Sequence, residues 1–151
     1  SGQLNGESFA LGLSDIYTFG PTFRAENSNT ARHVAEFWMI EPEMAWCDLD
    51  DDATLAEAFV KHALTQALSR CGDDMKFFDD RIEKGLIARL EAVVNASFER
   101  MTYTQAVAAL LASGKSFEYP VAWGSNLQAE HERWLTEEHV GRPVFVTDYP
   151  K

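Results

Sequence analysis

Two runs of strand-forming residues that enclose a short polar segment constrain the fold of this chain most strongly. They lie in the stretch FRAENSNTARHVAEFWMIEPE, residues 23–43. β-Branched and aromatic residues are frequent throughout residues 16–46, as is typical of strands. We therefore predict an antiparallel hairpin with strands at about 16–26 and 36–45, joined by a polar connection at 27–35.

Charged side chains crowd the connected ends of both predicted strands. Arg24 and Glu26 share one face of the first strand, because residues two apart in a strand point the same way. The register of the two strands decides whether Phe37 lies on the same face as Arg24. If it does, Arg32 and His33 lie over this face from the connection. Guanidinium groups match phosphate oxygens and an aromatic ring can stack on a base, so this arrangement suits a nucleoside triphosphate. The alternative is ordinary Arg–Glu pairing on a sheet, worth less than ~1 kcal/mol, with Phe37 in the core.

Helical patterns fill most of the remaining chain. A T-x-x-E capping box at Thr54 and Glu57 predicts a helix that ends at Gly72, and a second box at Thr102 and Gln105 predicts another. Apolar stripes and caps predict four helices in all, at about 54–72, 86–94, 102–114 and 125–139. A last strand is predicted within residues 143–149. The fold class is therefore α+β with a helical insertion.

Composition limits the function classes. The 151 residues are 46% hydrophobic, enough for one domain with a core. No apolar run approaches the ~20 residues of a membrane span, and no signal sequence is evident, so we expect a soluble, cytoplasmic protein. The net charge of −11 argues against a chain that binds nucleic acid by itself. Because the chain starts without Met, we expect a segment of a longer protein.

No metal site is predicted. Cys47 and Cys71 form no C-x-x-C motif and are expected to be reduced thiols. Glu130 and His131 lie in QAEHERW, which is not an H-E-x-x-H sequence. The acidic residues at 48–52 lack the Gly and Glu of a calcium-binding EF-hand loop, so we expect them to start a helix.

The hairpin sequence closely resembles motif 2 of the class II aminoacyl-tRNA synthetases, in the form of the subgroup that charges Asp, Asn and Lys. The match runs without a gap through FRAE, the connection, RH and EF with its acidic tail. SGQLNGE, NLQAEHERWL and PVFVTDYPK are similar to the bacterial asparaginyl enzymes, so the resemblance reaches both ends and is weakest at 72–114. It implies one catalytic domain that carries the motif 2 hairpin of an antiparallel sheet. Its parts are the hairpin and next helix at about 1–72, a helical insertion at about 73–114 and a return to the core at about 115–151.

The resemblance also implies roles at the nucleotide site. Arg24 would bind the α-phosphate of ATP and act in catalysis. Glu26 would contact the adenine side, Phe37 would stack on the ring, and Arg32 and His33 would meet the outer phosphates. The connection residues would touch the tRNA acceptor end; they are Asn27, Ser28, Asn29 and Thr30.

At the amino-acid site, the resemblance implies that Gln3 holds the ammonium group and that Glu7 reads the side-chain amide, with Glu130 bordering the pocket. Aspartyl enzymes carry a Lys in the first segment, whereas QLNGE has Gly6 and no Lys, which favours asparagine.

The implied parent is a homodimer that uses ATP, Mg²⁺ held from outside this chain, asparagine and tRNA(Asn). An aspartyl enzyme, a tRNA-independent amino-acid ligase on the same scaffold, and a non-catalytic binding module remain alternatives. In this class the motif 2 arginine works opposite an arginine in a G-x-G-x-x-x-x-E-R segment, which residues 1–151 lack. The isolated chain is therefore expected to be inactive.

Overall fold

The computed structural model describes residues 3–25 and 33–151. It divides into two units, Ser1–Asp52 and Ala53–Lys151. The described elements, in chain order, are α1 Gln3–Leu13, β1 Asp15–Phe23, β2 Glu36–Met44, α2 Leu49–Arg70, α3 Gly72–Arg81, α4 Leu86–Asn95, β3 Glu99–Thr102, α5 Tyr103–Ala112, α6 Ala129–Arg133, a π-helix at Trp134–Val140, and β4 Val144–Thr147.

The first unit contains the predicted hairpin. β1 and β2 pair antiparallel, from Asp15 opposite Met44 to Phe23 opposite Glu36. The prediction of an antiparallel hairpin is confirmed, but β1 ends at Phe23 rather than near residue 26. Burial alternates along both strands, so one face is half-buried and the other is exposed, as period 2 requires.

Helix α1 packs against the half-buried face of the hairpin and was not predicted. Buried Gly6 faces the hairpin, and a Cβ there would make an ordinary van der Waals contact, 3.4 Å from the Ile16 Cδ1 atom. Two glycines weaken the helical signal, at ~1 kcal/mol each relative to alanine, and large apolar side chains remain exposed on the helix. The helix is therefore stabilised by its contact with the hairpin and has no apolar stripe by which the sequence would predict it.

Helix α2 begins five residues before the predicted capping box. The side chain of Asp48 accepts hydrogen bonds from the backbone N–H groups of Asp50 and Asp51, at 2.9 and 3.0 Å. The acidic run therefore starts this helix, as expected, and lies at the positive end of its dipole. The capping-box prediction at Thr54 was wrong, and its hydroxyl instead accepts a 2.6 Å hydrogen bond from Arg100.

The second unit adds a pair of parallel strands, β3 and β4, with Glu99 opposite Val144 and Thr102 opposite Thr147. The capping box at Thr102 is confirmed, because the hydroxyl accepts from the Gln105 N–H and starts α5. Helix α4 and strand β4 also confirm their predictions. The predicted helix at 125–139 starts later, at α6, and continues as the π-helix.

The core of the second unit lies where α5 meets the π-helix and β4. Ala106, Leu110 and Leu135 are buried there, with Phe117 and Val146 packed around them. Together with the hairpin, these elements confirm the α+β fold class. In the described part of the chain, no helix is both long and apolar enough to cross a membrane.

Candidate functional site

The hairpin register places Arg24 and Phe37 on the same face. Phe37 pairs with Thr22 across the strands, and the backbone N–H of Arg24 donates to the Ala35 carbonyl at 2.9 Å, one step beyond the last strand pair. Arg24 and Thr22 are two residues apart and therefore point the same way. The Arg24 guanidinium carbon lies 5.2 Å from the centroid of the Phe37 ring. The observed register is thus the one in which Arg24 and Phe37 share a face.

The face that holds this pair carries opposite charges at its two ends. Arg24 is exposed at the connected end, whereas Glu41 and Glu43 are half-buried towards the other end. The Thr18 hydroxyl donates to Glu41 Oε2 at 3.2 Å. Since Glu41 lies six residues beyond Ala35, about 20 Å of strand separates the charges. An extended ligand with an anionic and a cationic end fits such a surface.

The Thr22 hydroxyl is an unusual feature of this face. Its Oγ1 atom is shielded from solvent and has no hydrogen-bond partner among the described residues. A buried polar atom left without a partner typically destabilises a fold by ~1–3 kcal/mol. Sites that keep such a group at a cost to stability are candidates for function. Thr18, Thr22 and Glu41 were not singled out as site residues, although alternation along β1 and β2 identifies them once the register is known.

Replacing Thr22 with valine is expected to raise the free energy of unfolding by about 1 kcal/mol, because the shape is kept and the unpaired hydroxyl is removed. Thr18→Val is the matched control, and it should lower that free energy by about 1 kcal/mol because it breaks the bond to Glu41. Urea unfolding of the chain measures both. A Thr22→Val variant as destabilised as Thr18→Val would mean that the Thr22 hydroxyl has a partner in solution.

The opposite face of the hairpin is apolar and exposed. The Phe19 and Trp38 rings lie 4.9 Å apart between their centroids. Tyr17 and Phe23 are 72% and 70% exposed. The Arg24–Phe37 face is thus the better covered of the two and the only one on which α1 packs among the described residues.

The remaining predicted site residues are distributed as follows. Glu7 is exposed on α1, the helix that packs on the hairpin, and His33 is exposed just before β2. Gln3 opens α1, but its side chain lies outside the described part. Six predictions concern residues outside the described ranges: Glu26, Asn27, Ser28, Asn29, Thr30 and Arg32.

Glu130 belongs to the second unit and holds a loop in place. Its two carboxylate oxygens accept hydrogen bonds from the backbone N–H groups of Tyr119, at 2.8 Å, and Glu118, at 3.1 Å. Buried His131 beside it accepts from the Gln128 N–H through Nδ1 and donates to the Tyr119 carbonyl through Nε2, both at 3.0 Å. The Tyr119 N–H, and then that of Glu118, lowers the pKa of the Glu130 carboxyl below 4.5. In this structure Glu130 therefore anchors the 118–119 backbone.

This lowered pKa predicts an acid-dependent loss of stability. A carboxyl with a depressed pKa in the folded state stabilises the fold above its unfolded pKa, and the effect is lost as the pH falls through the folded value. The free energy of unfolding should therefore decline from about pH 5 downward, and Glu130→Gln should flatten that decline. Denaturant unfolding between pH 7 and 3 measures it. The control is Glu118→Gln, which leaves the Glu130 carboxylate and its two bonds, and equal slopes in the two variants would contradict the prediction.

No three or more His, Cys, Asp or Glu side chains within residues 3–25 and 33–151 gather as metal ligands. The described residues of the hairpin offer electrostatic chemistry. An exposed guanidinium, an aromatic ring and two carboxylates share one sheet face. Such a set can orient a phosphorylated base and neutralise charge on a phosphate.

Comparison with known proteins assigns the chain to a family. The model of class II tRNA synthetases of the D, K and N group matches residues 1–151. The chain therefore belongs to the class II tRNA synthetase family. Within it, the chain is 63% identical over 151 residues to an asparagine–tRNA ligase of Geobacter metallireducens, which matches the whole chain and 33% of that relative.

Two further relatives agree. An asparagine–tRNA ligase of Myxococcus xanthus is 60% identical over 151 residues, all of this chain and 32% of that relative. The crystal structure of Pyrococcus horikoshii asparaginyl-tRNA synthetase complexed with asparaginyl-adenylate superposes with a TM-score of 0.79 and 35% identity, over 99% of this chain and 32% of that one. The chain thus spans about a third of the length of these relatives.

Proposed function

We propose that the chain is part of an asparagine–tRNA ligase. The full-length protein activates asparagine with ATP to asparaginyl-adenylate and transfers the asparagine to tRNA(Asn). The observation that carries the proposal is the position of Arg24 and Phe37 on one half-buried sheet face. It is supported by the likeness to an asparaginyl-tRNA synthetase complexed with asparaginyl-adenylate.

Activation needs a cation where negative charge grows. A carboxylate oxygen of asparagine attacks the α-phosphorus, a new P–O bond forms, and the bond to pyrophosphate breaks. Arg24, exposed at the end of the hairpin, binds the α-phosphate and stabilises the charge of the transition state. Arg32 and His33 contact the β- and γ-phosphates and aid the departure of pyrophosphate. Mg²⁺, held by ligands outside this chain, would supply neutralisation of phosphate charge.

The base and the amino acid bind on the same face of the hairpin, on either side of the α-phosphate. Phe37 stacks on adenine, and Glu26 contacts its edge. Gln3 and Glu7 on α1 bind the ammonium group and the side-chain amide of asparagine, with Glu130 at the border of the pocket. Glu41 and Glu43 are half-buried carboxylates on the same face, and their negative charge favours a bound ammonium group over an anionic one.

The environment of Gly6 supports asparagine over aspartate. Gly6 lies against the Ile16 and Glu43 side chains and carries no ammonium group that could meet an aspartate carboxylate. The aspartyl enzyme is therefore the second candidate. It predicts pyrophosphate exchange with aspartate rather than asparagine.

The wider assignments follow from the same proposal. The connection residues Asn27, Ser28, Asn29 and Thr30 contact the acceptor end of the tRNA. The full-length protein is a cytoplasmic homodimer. Residues 1–72 and 115–151 belong to the catalytic core, and 73–114 form an insertion in it.

Replacing Phe37 with alanine in the full-length protein is expected to raise the KM for ATP about five-fold or more with little change in kcat. Base stacking on an aromatic ring is worth ~1–3 kcal/mol and contributes similarly in the ground and transition states. Steady-state exchange at varied ATP concentrations measures it, with Phe37→Tyr as the control that keeps the ring. An unchanged KM in Phe37→Ala would place this side chain in the core rather than at the base.

A further inference from the structure

The contact between Arg24 and Phe37 has a consequence for nucleotide binding, which rests on the proposed function. We propose that Arg24 covers the stacking surface of Phe37 when no nucleotide is bound, so that Arg24 and adenine compete for the same ring. Nucleotide binding then exchanges one contact for another: the base takes the ring and the guanidinium moves to the phosphates. Arg24 would thus hinder binding of a bare base and favour binding of a base that carries phosphates.

The geometry of the pair supports this competition. The guanidinium carbon lies over the Phe37 ring, 5.2 Å from its centroid, which is within the range of a cation–π contact. A base that stacked on this surface of the ring would need the same space. Phe37 is half-buried, so the ring offers a ligand only part of its surface.

Arg24 is also placed so that it can move. It follows the last residue of β1, and its backbone N–H bonds to the Ala35 carbonyl whatever the side chain does. Its side chain is exposed, so displacement from the ring gives up little buried area. A long, flexible arginine at a strand end can therefore serve two partners in turn.

Competition predicts effects of opposite sign for two ligands. Adenosine must displace the guanidinium but has no phosphate to bind it afterwards, whereas ATP gives it a charged partner. Removing the side chain should therefore strengthen adenosine binding two- to five-fold. This factor is the free energy of an exposed cation–π contact, converted at 1.4 kcal/mol per factor of ten in affinity. The same change should weaken ATP binding about ten-fold or more, because a charge-assisted contact to phosphate is lost.

The experiment is calorimetric titration of the full-length protein with adenosine and with ATP. Arg24→Ala should bind adenosine more tightly and ATP more weakly than the wild type. Arg24→Lys is the matched control, since its ammonium group can also sit over a ring and should leave the adenosine affinity near wild type. In a Phe37→Leu background, Arg24→Ala should give no gain in adenosine affinity.

A second measurement follows the side chain directly. In the nucleotide-free protein the Phe37 ring current should shift the Arg24 side-chain proton resonances, and saturation with ATP should remove that shift. The inference is overturned if ATP binds and Arg24→Ala leaves adenosine affinity unchanged or lower. If the wild-type protein binds neither ATP nor adenosine, the proposed function itself is overturned.

Discussion

The full-length protein with Arg24→Ala is expected to activate asparagine about 10²–10³-fold more slowly than the wild type. Removal of one preorganised charge donor from a transition state typically costs ~2.7–4 kcal/mol. The loss should appear in kcat, because charge on the α-phosphate grows during attack. Asparagine-dependent exchange of pyrophosphate into ATP, at saturating substrates, measures it.

Two variants make this result specific. Arg70→Ala removes another exposed arginine, in the last turn of α2, and should leave the exchange rate near wild type. Arg24→Lys keeps the charge but not the planar fork, and should fall between the wild type and Arg24→Ala. An Arg24→Ala enzyme within three-fold of the wild-type rate would remove Arg24 from the mechanism.

The isolated 151-residue chain is expected to show no detectable asparagine activation. It spans about a third of its relatives and lacks the G-x-G-x-x-x-x-E-R segment, whose arginine is expected from the family resemblance to work opposite Arg24. Groups that act as one unit are strongly non-additive, so Arg24 without this second arginine should retain far less than half the effect of the pair. The net charge of −11 also disfavours binding of the negatively charged tRNA by this chain alone.

The same chain should self-associate. The outer face of the hairpin exposes Tyr17, Phe19, Phe23, Trp38 and Ile40, and such apolar surface favours association. Size-exclusion chromatography at several concentrations tests this, with Trp38→Lys as the variant that interrupts the face and lowers association. Asparagine-dependent exchange by the purified chain, free of host enzyme, would contradict the expected inactivity and show that Arg24 acts without the arginine of the G-x-G-x-x-x-x-E-R segment.

The hairpin was predictable because its signals are local. Alternating strand residues on either side of a polar segment define the pair, and the acidic run before α2 identifies a helix start. The capping box at Thr102 likewise predicted α5. The capping box predicted at Thr54 was wrong because Asp48, earlier in the chain, caps the helix. The Thr54 hydroxyl accepts a hydrogen bond from Arg100 instead.

Features that depend on distant contacts escaped prediction. Helix α1 has two glycines and no apolar stripe, and it is defined by contact with the hairpin. Strand β3 is only four residues long and is paired with β4, more than forty residues later. At the site, the residue types were evident, but the meeting of Arg24 and Phe37 depends on a register that the sequence left open.

Pyrophosphate exchange by the full-length protein, with asparagine and aspartate compared side by side, tests the central claim most directly. We predict exchange with asparagine and at least about a hundred-fold lower kcat/KM with aspartate, because a site built to bind an amide leaves polar groups unpaired or repelled when a carboxylate replaces it. A Glu7→Gln variant should narrow this preference. Exchange that depends on aspartate and not on asparagine would contradict the assignment.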